Sequence, residues 1–166
     1  MFLDPIFALF FKIPWVKDYW TKRYAALESD SIPWSKLNKP LNQCKVGFVT
    51  TAGIHKKTDT PFDMKNRNGD PSFRLFPSNP DKDDLKITHN YYDHRNADKD
   101  LNIVLPFDGL QTLVNEGVIG SVTTQFMSFM GHVMEDEVEK LTQETAPKAA
   151  KLMLAEEVDV VIFSPA

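Results

Sequence analysis

The chain has 166 residues, 42% of them hydrophobic, which is enough apolar material to fill the core of one domain. A net charge of -4 with no run of Lys or Arg provides no field to neutralise phosphates, so no nucleic-acid partner is expected. The single cysteine excludes an internal disulfide and points to the reducing cytoplasm.

In chain order, "IFALFF" (residues 6–11) is apolar but preceded by Asp4 and followed by Lys12 and Pro14, without a basic leader or cleavage site. A bilayer needs about 20 apolar residues, so this stretch is expected to pack on protein rather than span or anchor to a membrane. "WVKDYWTKRYAALES" (15–29) predicts a helix with Trp15, Tyr19 and Trp20 on one stripe, and Pro33 and Pro40 keep residues 32–43 extended. Residues 1–43 therefore read as an N-terminal helical and extended docking segment, and residues 44–166 as an α/β domain.

Within that domain, "KVGFVTT" (45–51) is a β-branched apolar run of the kind found in strands covered on both faces. Similar runs predict strands at 85–89, 119–126 and 158–163. "FDGLQTLVNEG" (107–117) predicts a helix with Asp108 as N-cap, Leu110, Leu113 and Val114 on one face and Gly117 as its stop. A longer helical stretch, 135–157, is interrupted by Pro147, with Thr145 expected to cap the restarted helix. Strands alternating with helices predict a doubly wound, mostly parallel sheet in a single domain with an N-terminal helical extension. The connection 51–84 is rich in Pro, Gly, Asn and Asp without helical period, which suits a binding surface or lid.

Doubly wound sheets bind ligands outside the carboxyl ends of their strands. His55, His89, His94 and His132 all fall just beyond predicted strands, as do Ser128 and Ser164. Two readings stand: ordinary loop histidines, or a shared rim. His89, Asp93 and His94 offer metal ligands, a proton donor or a carboxylate orienting an imidazole, although their spacing matches no zinc signature. In "VTTAGIH" (49–55), Thr50, Thr51 and the amides near Gly53 are placed to cradle an anion. The glycine spacing of a dinucleotide fingerprint and the Gly-Lys-Ser/Thr of a phosphate loop are both missing, so a small carboxylate is the expected ligand. Cys44, at the start of a core strand, reads as structural and inert, and Met127, Met130 and Met134 read as packing.

Taken in order, "VTTAGIH", "PFD", "GDPSFRLFPS", "ITHNYYDHRNADKDLNIVLPFDGLQTLVNEGVIGSV", "FMSFMGH" and "VDVVIFSP" resemble the selenoprotein B family of glycine, sarcosine, betaine and D-proline reductases, from about residue 45 onward, with the D-proline branch the nearest in form. The resemblance implies reductive cleavage of a C–N bond in a small amino acid or related amine. A selenolate or thiolate would attack the carbon bearing nitrogen, the amine would leave, and a second thiol would resolve the adduct. It also implies other reductase subunits as partners, one carrying a pyruvoyl electron sink, and a thiol electron donor. The family's selenocysteine or cysteine follows the strand that ends in Ser-Pro and a small residue, here Ser164, Pro165 and Ala166. It is therefore expected just after Ala166, with a helix, a further strand and a second cysteine beyond it, and no cofactor is expected on these 166 residues themselves. The alternatives are a shortened paralogue serving as a binding and assembly module, and a metal-dependent lyase or hydrolase built on His89, Asp93 and His94. An unpaired last strand would in either of the first two cases favour oligomerisation.

Overall fold

The computed structural model describes residues 13–23 and 35–166. The chain divides into two compact units, Met1–Lys36 and Leu37–Ala166. In the first, α1 (Pro14–Arg23) realises the early part of the predicted helix. Residues 24–29, the segment "IFALFF" and Pro33 lie outside the described residues.

The second unit contains β1 (Lys45–Thr50), β2 (Ile54–Lys56), β3 (Phe73–Pro77), β4 (Leu85–Ile87), α2 (Phe107–Asn115), β5 (Ser121–Val122), β6 (Gln125–Phe129), α3 (Asp136–Lys140), α4 (Ala146–Ala155) and β7 (Val160–Ser164). β1 is the centre of the main sheet. β7 runs parallel to it from Val46↔Val160 to Thr50↔Ser164. On its other side β5 pairs with its first residues and β6 with its last, both parallel, so 121–129 act as one strand broken at Thr123 and Thr124. β3 closes that side antiparallel to β6. The mostly parallel α/β architecture predicted from the alternating pattern is what the chain adopts.

The burial follows from the residues. Every β1 residue after Lys45 is buried, as a continuous apolar strand requires when helices cover both faces. On one face Val46, Phe48, Phe76 and Phe126 pack with Phe107 and Leu110 of α2. The rings of Phe48 and Phe126 lie 5.6 Å apart and tilted, and burying each contributes about 2–3 kcal/mol. On the other face Val49 and Met127 meet Ala149 and Met153 of α4. Alternate residues of one strand thus serve opposite layers.

Four local expectations are corrected. The run at 85–89 does not join the parallel sheet. It forms β4, antiparallel to β2 in a separate two-stranded ribbon, Ile54↔Ile87 to Lys56↔Leu85. The connection 51–84 is not structureless, because it contributes both β2 and β3. Pro106, not Asp108, precedes α2, and the Asp108 carboxylate instead accepts from Lys82 and Asn102. Helix 136–155 does not restart at Thr145. It continues through a π-turn at Leu141–Thr145, and the wider register there accommodates Pro147, which has no N–H to give. Thr145 donates its hydroxyl to the Pro71 carbonyl at 2.7 Å, joining the helix to the loop before β3.

Candidate functional site at the carboxyl ends of the parallel strands

β1, β6 and β7 point their carboxyl ends to one rim, and the chain leaving each strand builds it. After β1 the backbone turns at Gly53, whose φ of +71° suits glycine; a Cβ there would lie 2.6 Å from the Thr88 carbonyl oxygen. That close approach brings the segment after β4, with His89, beside the end of β1. The Thr51 N–H donates to the Ser164 carbonyl at 3.1 Å, and the Ala166 N–H donates to the Thr51 hydroxyl at 3.0 Å. The Gly131 N–H faces Nε2 of His89 at 3.2 Å. Thr51, His89, Gly131, Ser164 and Ala166 therefore meet.

The anion cradle read from "VTTAGIH" is occupied by the protein itself. The Ala52 N–H donates to Thr50 Oγ1 at 3.2 Å, the Gly53 N–H to the Phe129 carbonyl at 2.9 Å, and the Ile54 N–H to Ser128 Oγ at 2.8 Å. Thr50 and Ser128 are fully buried and serve these bonds. His55 is also buried. Its Nδ1–H donates to the Lys56 carbonyl at 2.7 Å and its Nε2 accepts the Thr88 hydroxyl at 2.8 Å, which makes it a fully satisfied core histidine of the ribbon.

His89 differs. It is 3% exposed, and burial, reinforced by the charges of His132 and His94, lowers its pKa to about 4, so the ring is neutral at pH 7. Tyr92 lies edge-on to it at 4.8 Å and Tyr91 at 5.9 Å. Tyr91 stacks on His132 at 3.8 Å, and His132 Nε2–H donates to the Arg67 carbonyl at 2.9 Å. The Tyr92 hydroxyl donates to the Ala52 carbonyl at 3.1 Å, and burial raises its pKa to about 12. His132 is thus linked to His89 through an aromatic layer.

Asp93 and His94 turn elsewhere. Asp93 binds the Arg95 guanidinium through two bonds of 2.8 and 2.5 Å, and those bonds hold its carboxyl down at about 2. His94 pairs with Asp98 at 2.7 Å. The set considered for a metal therefore does not converge: His89 faces Gly131, Asp93 faces Arg95 and His94 faces Asp98.

Sequence reasoning missed the latch that fastens residues 57–72 against this rim. Asp70 accepts from the Asp63 N–H at 2.9 Å and from both the N–H and hydroxyl of Ser72. Arg74 stacks over Phe62 at 4.5 Å and donates to the Thr60 carbonyl at 2.9 Å and to Ser72 Oγ at 2.7 Å. The loop then touches the segment after β6, where the Met134 N–H donates to the Asn68 carbonyl at 2.8 Å and a Cβ on Gly69 would overlap the His132 carbonyl. The signal was present: "PFD" and "GDPSFRLFPS" carry Phe62, Asp70, Ser72 and Arg74.

A mostly parallel α/β domain with loops converging on its strand ends is a ligand-binding or catalytic class of architecture. The chain belongs to the family described as glycine/sarcosine/betaine reductase selenoprotein B, whose pattern matches residues 15–166. It is 34% identical over 131 residues to the D-proline reductase subunit gamma of Acetoanaerobium sticklandii, covering 79% of this chain and 52% of that one. It is 30% identical over 109 residues to the sarcosine reductase complex component B subunit beta of Peptoclostridium acidaminophilum, covering 61% of this chain and 24% of that protein. Against the glycine reductase complex component B subunit gamma of Symbiobacterium thermophilum, identity is 28% over 118 residues, covering 68% and 27% respectively. The chain thus spans about half the length of the first relative and about a quarter of the other two. No solved structure matches it.

Proposed function

We propose that this chain forms the substrate-facing part of a reductase that cleaves the C–N bond of a small amino acid or related amine of the D-proline, glycine, sarcosine or betaine type. The observation that carries the reading is the rim where Thr51, His89 and Gly131 meet the end of β7. The relatives, named as subunits of D-proline, sarcosine and glycine reductases, supply the reaction class.

In this reading the chain supplies pocket rather than nucleophile. Cys44, the chain's one cysteine, is fully buried at the amino end of β1, with Sγ 3.4 Å from the Pro40 carbonyl, far along the strand from the rim. A selenocysteine or cysteine from outside these residues attacks the carbon bearing nitrogen. The carbon–nitrogen electron pair leaves with the amine, which takes up a proton; a second thiolate then attacks the selenium or sulfur of the adduct, the carbon leaves with that bond's electron pair and takes up a proton, and a selenenyl sulfide or disulfide closes. The pyruvoyl group belongs, in the same proposal, to a partner subunit, and the dithiol donor and a cytoplasmic setting complete it. Among the described residues no helix is long and apolar enough to cross a membrane.

A second reading, a non-catalytic assembly module of the same family, draws on the outer strand. Among the described residues β7 pairs only with β1, and Phe163 on it is 70% exposed. Co-expression of the native gene with its partner subunits separates the two. With dithiothreitol and each of D-proline, glycine, sarcosine and betaine, the reductase reading expects C–N cleavage of at least one substrate, read as the ring-opened amino acid for D-proline and as free amine for the other three. It expects Thr51→Val to lower kcat/KM about tenfold, the effect of losing one hydrogen bond to a charged group. Assembly without C–N cleavage of any of the four would leave the module reading and sink the first.

A further inference from the structure

His89 faces more donors than it can accept. Its Nδ1 lies 3.1 Å from the Tyr91 amide nitrogen and its Nε2 lies 3.2 Å from the Gly131 amide nitrogen. A neutral imidazole has one accepting nitrogen, because the other carries the proton. Both contacts are of hydrogen-bond length, one within a loop and one between segments 42 residues apart, so whichever nitrogen carries the proton faces a second donor. With Nδ1 engaged by Tyr91, Nε2–H is directed at the Gly131 N–H. Two donors then face each other without an acceptor, an arrangement that costs free energy until an acceptor bridges them.

The surroundings fit one kind of acceptor. Gly131 is exposed, so the pair is reached from solvent although the His89 ring is buried. Thr51 Oγ1 lies 3.2 Å from where a Gly131 Cβ would sit, and because it accepts from the Ala166 N–H its own proton is left to donate. The amides of Thr51, Ala52, Gly53 and Ile54 are all engaged and do not compete. We propose that His89 Nε2–H, the Gly131 N–H and the Thr51 hydroxyl bind a small carboxylate, one oxygen bridging the first two donors and Thr51 serving the other. A Cβ on Gly131 would crowd this point, at 3.2 Å from Thr51 Oγ1 and 3.4 Å from the Ala166 carbonyl oxygen, so glycine leaves what room there is beside Thr51. The assignment of this group to the substrate's own carboxylate rests on the reductase reading, since D-proline, glycine, sarcosine and betaine all carry one.

The test is an NMR titration of the 166-residue chain with sodium acetate, with methylammonium chloride at matched ionic strength as control. The imidazole nitrogens of His89 should report the Nε2–H tautomer before addition, and acetate alone should shift that proton and the Gly131 amide saturably. His89→Phe and Thr51→Val should each weaken acetate about tenfold or more, the scale of lost hydrogen bonds to a charged group. An Nδ1–H tautomer, an unmoved Gly131 amide, or equal affinity in the variants would overturn the proposal. If His89→Phe does not fold, the wild-type tautomer and Thr51→Val decide. Acetate binding by a protein whose complex cleaves no C–N bond keeps this site and sinks the reductase reading; C–N cleavage with an acetate-blind Gly131 does the reverse.

Discussion

His89 and His55 show how the same side chain takes different roles according to what surrounds it. Both are buried, yet His55 has one acceptor and one donor for its two nitrogens, whereas His89 meets two amide donors. The folded pKa of His89, about 4, lies below the unfolded value of 6.5. Between those values the unfolded chain binds a proton that the folded ring refuses, so its contribution is intact above pH 6.5 and is lost as pH falls toward 4. The full shift corresponds to about 3 kcal/mol, which hydration at the rim reduces to on the order of 2 kcal/mol. Urea unfolding at neutral pH and just above pH 4 should therefore show the wild type losing about 2 kcal/mol more than His89→Phe. Equal losses in the two proteins would mean that His89 titrates normally.

At the scale of elements, the loop 57–72 is ordered by side chains rather than by regular structure. Arg74 combines a stacked contact with Phe62, three carbonyls and an ion pair to Asp70 at 3.8 Å with both side chains mostly buried. Asp70 must lose hydration to take part, which raises its pKa. The bonds from Ser72 and Asp63 and the charge of Arg74 outweigh that cost and hold the carboxyl below its usual range. Arg74→Met keeps the stem over Phe62 and removes every guanidinium bond. Amide exchange of residues 60–72 should accelerate about tenfold to a hundredfold, as expected for losing charge-assisted bonds, while β1 and β6 keep their protection. Unchanged exchange in the loop would show that Asp70 and the backbone contacts to Asn68 and Gly69 suffice to hold it.

For the whole molecule the unsettled surface is the β7 side of the sheet. Ile162 and Phe163 on β7 and Leu154 on α4 are exposed large apolar residues, and among the described residues β7 pairs with β1 alone. An apolar edge strand is a template for further pairing. The isolated chain should associate as its concentration rises, and Phe163→Lys should suppress this in sedimentation or light scattering without lowering the unfolding free energy by more than about 0.5 kcal/mol, the usual range for a surface change. Persistent association in the variant would place the contact elsewhere.

Sequence alone determined the layers. The β-branched run of β1, the stripe Leu110, Leu113 and Val114 on α2 and the alternation of strands with helices are local patterns that state directly which face must leave water, whereas the equally apolar run of β7 leaves Ile162 and Phe163 exposed. The family was legible for a similar reason, since its motifs follow one another in order along the chain. Tertiary structure alone decided the partners. "LKI" pairs with Ile54–Lys56 instead of entering the parallel sheet, and Phe73–Pro77 becomes a strand through its ladder with β6, neither of which a three- to five-residue run specifies by itself. The same holds at the rim, where the four loop histidines looked equivalent in sequence. Which amides are engaged, and that Gly131 faces His89 while Ser128 serves Ile54, depends on bonds between residues 42 and 74 positions apart. Hydrogen-bond capacity is a property of each residue, but whether it is met is set by neighbours that only the folded chain supplies.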